Sequence, residues 1–271
     1  MNLKPSVVTG LLASSLFLPN MNADERRFTY VYEPETLPQG AAEIENWVTL
    51  RAGRNKTVGQ ENYNRWDLRQ EFEYGVTDRY TLSLYMNEKA ESYRDSAGTD
   101  VNDFEWKGIS IENIYNVVNP ADNPVGLSLY LEGAYSGEEA ALEQKIIFGQ
   151  RHGDWKWALN LIHETEWENN LHEIVGEAGV SMGLAHDLGK NWSLGLEFRN
   201  VNSFPEYDSW DNSALFLGPV VSYRQDKWWA ALTVLPQIYG WNSSGSDDGN
   251  PNLDLRDHEK LNIRLLIGIH L

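Results

Sequence analysis

The chain has 271 residues, no cysteine and a mean hydropathy of -0.50, which excludes a bundle of membrane-spanning helices. Its 40 acidic and 22 basic side chains give a formal charge of -18, which argues against nucleic acid or anionic lipid as an electrostatic partner. Aromatic residues make up 12%, with 11 Trp and 13 Tyr, a content that suits two interfacial girdles better than a soluble core.

Residues 1–23 carry one charge, Lys4, ahead of an apolar run from Val7 to Leu18 and a small or polar stretch ending at Ala23. This pattern reads as a signal peptide cut near Ala23/Asp24. Its removal takes one Lys, and the formal charge goes from -18 to -19. The absence of Cys fits passage through an oxidising periplasm. Residues 24–40 contain the cluster Asp24-Glu25-Arg26-Arg27 together with Pro34 and Pro38. They are too polar for a strand in lipid and are expected to form a periplasmic N-terminal segment, or to tuck into a barrel mouth.

From residue 41 to the end the chain alternates apolar and polar residues in about twelve segments, each near the ten residues a tilted transmembrane strand needs. They fall near Glu43–Arg54, Asn64–Val76, Arg79–Glu88, Phe104–Val117, Val125–Tyr135, Ala141–Arg151, Trp155–Glu166, Glu173–His186, Trp192–Val201, Ala214–Arg224, Lys227–Ile238 and Glu259–Leu271. In the second, Trp66, Leu68, Phe72, Tyr74 and Val76 share one parity, and Asp67, Arg69, Glu71 and Glu73 the other, with Gln70 the only misfit. Lipid covers such an oily face without a second protein layer, and a sheet in lipid must close on itself. The expected fold is an antiparallel, up-and-down transmembrane β-barrel of about twelve strands in a Gram-negative outer membrane. A soluble sandwich or lipocalin-like barrel would explain neither the aromatic belts nor the fully alternating last strand.

Short turns such as Thr77-Asp78, His152-Gly153-Asp154 and Gln225-Asp226 alternate with longer polar links such as Lys89–Asp103, Asn202–Ser213 and Tyr239–His258. The short side is assigned to the periplasm and the long side, with lipopolysaccharide as its lipid partner, to the exterior. Tyr74, Tyr80, Trp155, Trp157, Trp192, Tyr223, Trp228 and Trp229 flank the short turns, and Trp66, Trp106, Tyr135, Trp167, Tyr239 and Trp241 the long links. The final strand is the expected recognition element for the barrel-assembly machinery, with Leu271 where an aromatic residue usually stands.

The stretch Tyr30-Val31-Tyr32-Glu33-Pro34-Glu35-Thr36-Leu37-Pro38-Gln39-Gly40, running into Ala41-Ala42-Glu43-Ile44-Glu45, is similar to the lead-in of a group of poorly characterised outer-membrane barrels. Some of these are labelled transporters of the MetA pathway of phenol degradation. Gly75-Val76-Thr77-Asp78-Arg79-Tyr80-Thr81-Leu82 resembles their first periplasmic turn. The resemblance implies an outer-membrane barrel and carries over no functional residue.

Following the parity inward, the candidate pore-lining charges are Glu45, Asp67, Glu71, Glu73, Glu112, Glu132, Glu143, Glu164, Glu177 and Glu197 against Arg51, Arg69, Lys145, Arg199 and Arg264. A wide wet lumen with that acidic excess would favour cations, and a narrow one would pair the charges into a rigid wall. Trp47, Tyr85, Tyr130, Phe216, Trp229 and Leu235 share the inward parity and could guide an aromatic or amphiphilic solute. The expected function is therefore a passive channel or transporter for small solutes, which needs no cofactor. Its rival is a closed structural or surface-interaction barrel acting through acidic external loops. A lipid-acting enzyme is a more remote reading: there is no His-x-Ser, the nearest pattern is His163-Glu164-Thr165, and no catalytic residue is assigned. Asp247, Asp248 and Asp254 in the last long link form a weak metal-site candidate whose spacing does not match a helix-loop-helix calcium site.

Overall fold

The alternation along each segment becomes a two-sided wall. In a computed structural model, which describes residues 25–55, 59–245 and 250–271, twelve strands close into one antiparallel barrel. They are β1 (Ala42–Ala52), β2 (Glu61–Thr77), β3 (Tyr80–Arg94), β4 (Asp100–Val118), β5 (Gly126–Tyr135), β6 (Ala140–His152), β7 (Trp155–Glu168), β8 (Glu173–Leu188), β9 (Trp192–Pro205), β10 (Asn212–Gln225), β11 (Trp228–Asn242) and β12 (Leu261–His270). Each strand pairs with its sequence neighbours, and β1 pairs with β12 from Glu43↔His270 to Ala52↔Leu261, which leaves no open edge. The expected signal peptide, and Asp247 and Asp248 of the metal candidate, lie outside the described residues.

Along β1, Glu43, Glu45, Trp47 and Thr49 are buried, while Ile44 points outward and is exposed. Leu84, Met86, Ile109, Ile111, Leu129, Leu131, Leu194 and Leu196 continue that outward apolar band around the barrel. An apolar surface of this continuity belongs in hydrocarbon. Trp66, Trp106, Tyr135 and Trp241 stand outward near one end, and Tyr74, Trp155, Trp192 and Trp228 near the other. Trp229, counted both beside the short turns and on the inward parity, takes the inward place. It is fully buried, and its indole N–H donates to Glu43 Oε1 at 2.7 Å.

The short turns form where the turn residues predict them. Several long links are shorter than expected, because the strands continue past the apolar band. The link expected at Lys89–Asp103 is only the turn 95–99, since β3 runs to Arg94 and β4, 19 residues long, starts at Asp100. Beyond the hydrocarbon both faces of a strand meet water, so hydrogen-bonded pairing persists after the alternation that reveals it has ended.

Of its two expected places, the periplasm or the barrel mouth, the segment before β1 takes the second and reaches deep into it. It does not lie beneath the barrel: Phe28, Thr29, Tyr30, Val31, Tyr32, Glu33 and Leu37 are all buried within it. The segment returns to the wall at the first short turn, where Gly40 N–H donates to Gly75 O at 2.8 Å and Gln39 N–H to Asp78 Oδ1 at 2.9 Å.

Candidate functional site

A buried segment outside the sheet has no ladder partners, so its backbone polar groups must find side chains. The inward face of the wall supplies them. Glu197 on β9, fully buried, accepts the N–H groups of Thr29 (3.0 Å), Tyr30 (2.8 Å) and Val31 (3.1 Å), and the hydroxyls of Thr29 and Thr233. Asn160 on β7 holds Tyr32 from both sides, accepting its N–H at 2.7 Å and donating to its carbonyl at 2.9 Å. Asn116 on β4 and Ser128 on β5 both donate to Pro34 O, and Thr81 on β3 accepts from Leu37 N–H.

Charge and shape complete the fit. Arg27 meets Asp187 on β8 at 3.3 Å, Arg224 on β10 reaches the same carboxylate at 3.0 Å, and Lys156 on β7 pairs with Glu33 and Glu35. Gly183 leaves the space that the Phe28 ring fills, where a Cβ would sit 2.6 Å from the ring. Gly126 and Gly149 leave the space that Pro34 fills. The segment is therefore a plug keyed to this wall.

Above the plug the lumen opens in steps. A cavity of about 190 Å³ has Tyr30, Tyr32 and Trp47 among its lining, with Arg69, Lys145, Arg199, Arg264, Glu132, Glu143, Glu164 and Glu177 around it. A second cavity of about 340 Å³, sharing Ala134 and Ala141 with the first, leads to the long-loop end past Arg65, Lys89, Lys107 and Glu166. Below Tyr32 lies a small cavity of about 10 Å³.

The inward charges lie on the parity expected of them, but most are engaged. Arg51 joins Asp67 at 2.7 Å, Arg69 joins Glu132 at 2.6 Å and Lys145 joins Glu143 at 2.7 Å. Glu45 accepts from Trp47 Nε1, and Glu112 from the hydroxyls of Tyr85 and Tyr32. Arg264 donates to Thr49 and to Thr29 O, and lies 3.8 Å over the Tyr30 ring. Among the described residues, Glu71, Glu73, Glu164, Glu177 and Arg199 form no ion pair. The plug's Arg26 and Arg27, and Glu43, Lys156, Asp187 and Arg224 beside the short turns, were not among the candidates, although the last four share the inward parity of Glu45, Glu164, Glu177 and Phe216.

Two other candidates take ordinary places. His163 is exposed on the outer face, where Tyr207 Oη contacts its Nε2 at 3.3 Å and also meets Thr165. Asp254 is buried and caps its own loop, accepting from Asn242 Nδ2 and from the N–H of Arg256. Beside it, burial, together with Arg199, Arg54 and Arg51, pushes the His258 imidazole down to about 4 against the pull of Glu259. Its Nε2 contacts Asn212 Oδ1 at 2.8 Å. A histidine held neutral below its usual 6.5 stabilises the docked loop above that pH, and the contribution is lost as pH falls through about 4. Hydrogen exchange at Leu253 and Asp254 is expected to speed up between those values, and H258Q to remove the change.

The profile of a family of unknown function, DUF6662, matches residues 20–147 and 148–271, which is nearly the whole chain. The chain belongs to the DUF6662 family. No curated protein matches it. Among solved structures it is similar to the COG4313 outer membrane channel from Pseudomonas putida F1, with a TM-score of 0.61 and 11% identity over 90% of this chain and 100% of that one. It is also similar to the NanC porin, with a TM-score of 0.51 and 9% identity over 84% of this chain and 100% of that one. At these identities the likeness is one of fold.

Proposed function

We propose that this barrel sits in the outer membrane and carries small solutes passively, with its own N-terminal segment narrowing the lumen at the short-turn end. The observation that carries this reading is the funnel: about 340 Å³ of space, then about 190 Å³, ending on Tyr30, Tyr32 and Trp47. The middle cavity sets four carboxylates against four bases around those aromatic rings. Mixed charge beside aromatic surface suits a small amphiphilic or aromatic solute better than a bare cation. The resemblance of the Thr36-Leu37-Pro38 lead-in to the phenol-pathway barrels, and the channel and porin folds it shares, point the same way.

The packed lower lumen also favours the rival reading, a closed structural barrel. Planar-bilayer recording of the mature chain separates the two. The channel reading expects small, discrete steps whose reversal potential under a salt gradient is close to zero. Large, strongly cation-selective steps would mean that the plug is not seated. A barrel silent with and without its plug would favour the structural role.

A further inference from the structure

The small space below Tyr32 is lined by more acid than the fold neutralises. On the facing strands β1 and β2, Glu43 pairs with Glu73 and Glu45 with Glu71, so four carboxylates occupy one inward patch. Like charges placed directly opposite one another in a sheet are destabilising unless something joins them. Glu43, Glu45 and Glu73 each bring a carboxylate oxygen within 4.8 Å of the others. The cavity against them, about 10 Å³, is bounded by Glu45, Glu71, Glu73 and Glu112 on the wall and by Arg26, Tyr32 and Glu33 on the plug. That is space for one water-sized or ion-sized occupant.

The partners already present leave oxygens over. Glu43 has Trp229 Nε1 and His270, and Glu45 has Trp47 Nε1 and, at 3.6 Å, Arg26. Glu33 is engaged by Lys156 and Arg27, and Glu112 by two tyrosine hydroxyls. Glu71 is only 4% exposed and lines the cavity, yet its Oε2 has no hydrogen-bond partner. Glu73, 9% exposed, forms neither a hydrogen bond nor an ion pair among the described residues. Glu71 Oε2, a buried carboxylate oxygen without a partner at the edge of an ion-sized space, calls for a cation.

We propose that Glu43, Glu45 and Glu73, with Glu71 beside them, bind one divalent cation between the barrel wall and the plug, and that the ion is calcium. All the donors are carboxylate oxygens, the hard ligands that calcium and magnesium prefer. Calcium sits about 2.3–2.6 Å from its oxygens, so ligands on opposite sides of it are separated by about 4.8 Å, whereas magnesium at about 2.1 Å would demand a tighter cage. Oxygens within 4.8 Å of one another admit either ion, but a space of about 10 Å³ leaves no room for the waters that magnesium keeps, so the site suits calcium. Glu33 of the plug borders the same space, so the ion sits where plug and wall meet, in competition with Arg26 for Glu45.

The test uses the refolded, full-length mature protein in detergent after chelation, with Tb³⁺ as the luminescent stand-in. The indole N–H groups of Trp47 and Trp229 lie 2.7 Å from ligand carboxylates, so tryptophan excitation should sensitise an ion held there. We expect emission that saturates at one equivalent and is displaced by Ca²⁺ more readily than by Mg²⁺. The double variant E45Q/E73Q, confirmed as a folded barrel by its circular dichroism and heat-modifiable gel mobility, should weaken Tb³⁺ binding at least tenfold. Absence of sensitised emission from the wild type at neutral pH would overturn the proposal and leave the carboxyls protonated. Emission unchanged in E45Q/E73Q would also overturn it, by placing the ion elsewhere, and easier displacement by Mg²⁺ would overturn the assignment to calcium.

Discussion

Deleting residues 25–35 is expected to raise single-channel conductance several-fold while leaving the barrel folded. The segment contributes no strand to the sheet, whose ladder closes through β1 and β12 without it. What it occupies is the lower lumen, where the space falls from about 190 Å³ above Tyr30 and Tyr32 to about 10 Å³ beneath them. Twelve strands lie between the roughly eight whose interior side chains fill and the 16–18 that leave an aqueous channel, so the contents of the lumen decide whether it conducts. Deletion removes Glu25, Glu33 and Glu35 together with Arg26 and Arg27, a nearly neutral set, but it uncovers Glu43, Glu45, Glu71, Glu73, Glu112 and Glu197 to water. The reversal potential should therefore shift toward cations as the conductance rises. The point variant G183L should act in the same direction by filling the space of the Phe28 ring. Planar-bilayer recording checks both, with heat-modifiable gel mobility as the control for folding.

The second large effect is expected at one carboxylate. Replacing Glu197 by Ala removes the common acceptor of three consecutive backbone N–H groups and two hydroxyls, all inside the lumen. A buried donor left without a partner costs about 1–3 kcal/mol. Release of the plug should thus become easier by about 3 kcal/mol or more. E197Q retains an acceptor oxygen but loses the charge, and should fall between wild type and E197A. The barrel ladder itself is untouched, so the effect belongs to the segment rather than to global melting. Trypsin cleavage after Arg26 and Arg27 in the folded protein is the direct reading: slow in wild type, fast in E197A, intermediate in E197Q. Equal rates in all three would mean that Glu197 does not seat the segment.

The wall was legible in the sequence because lipid and lumen impose opposite demands on alternate residues. The parity of Trp66 to Val76 is visible in β2, and the inward placement of Trp47, Tyr85, Tyr130, Phe216 and Leu235 followed from the same rule. The outer ends of β3 and β4 were not legible, since polar residues there occupy both faces and the pattern vanishes where water replaces lipid. The plug was hidden for a different reason. The polarity of residues 24–40 correctly excludes a strand in lipid, but burial depends on partners such as Glu197, 168 positions from Thr29, and Asn160, 128 from Tyr32. No local period encodes such contacts. The traces left in the sequence are inward polar residues larger in number than a pore requires, and inward glycines such as Gly183 and Gly149 where a side chain would be expected to fill space.

The lumen charges show how that omission propagates. Counted on the strands alone, ten acids against five bases suggested a cation-selective wall. With the plug in place, Arg27 and Lys156 engage Asp187, Glu33 and Glu35, and the open cavity carries equal numbers of each sign. Selectivity therefore belongs to the state of the plug as much as to the strands.

Backbone hydrogen exchange at Thr29, Tyr30, Val31 and Tyr32, measured on the full-length protein in a bilayer, tests the central claim most directly. A seated plug, with these four N–H groups donating to Glu197 and Asn160, predicts exchange slowed by orders of magnitude relative to an unstructured peptide and comparable to the inward-facing strands. Exchange at the rate of an unstructured segment would contradict it and place residues 25–40 outside the barrel.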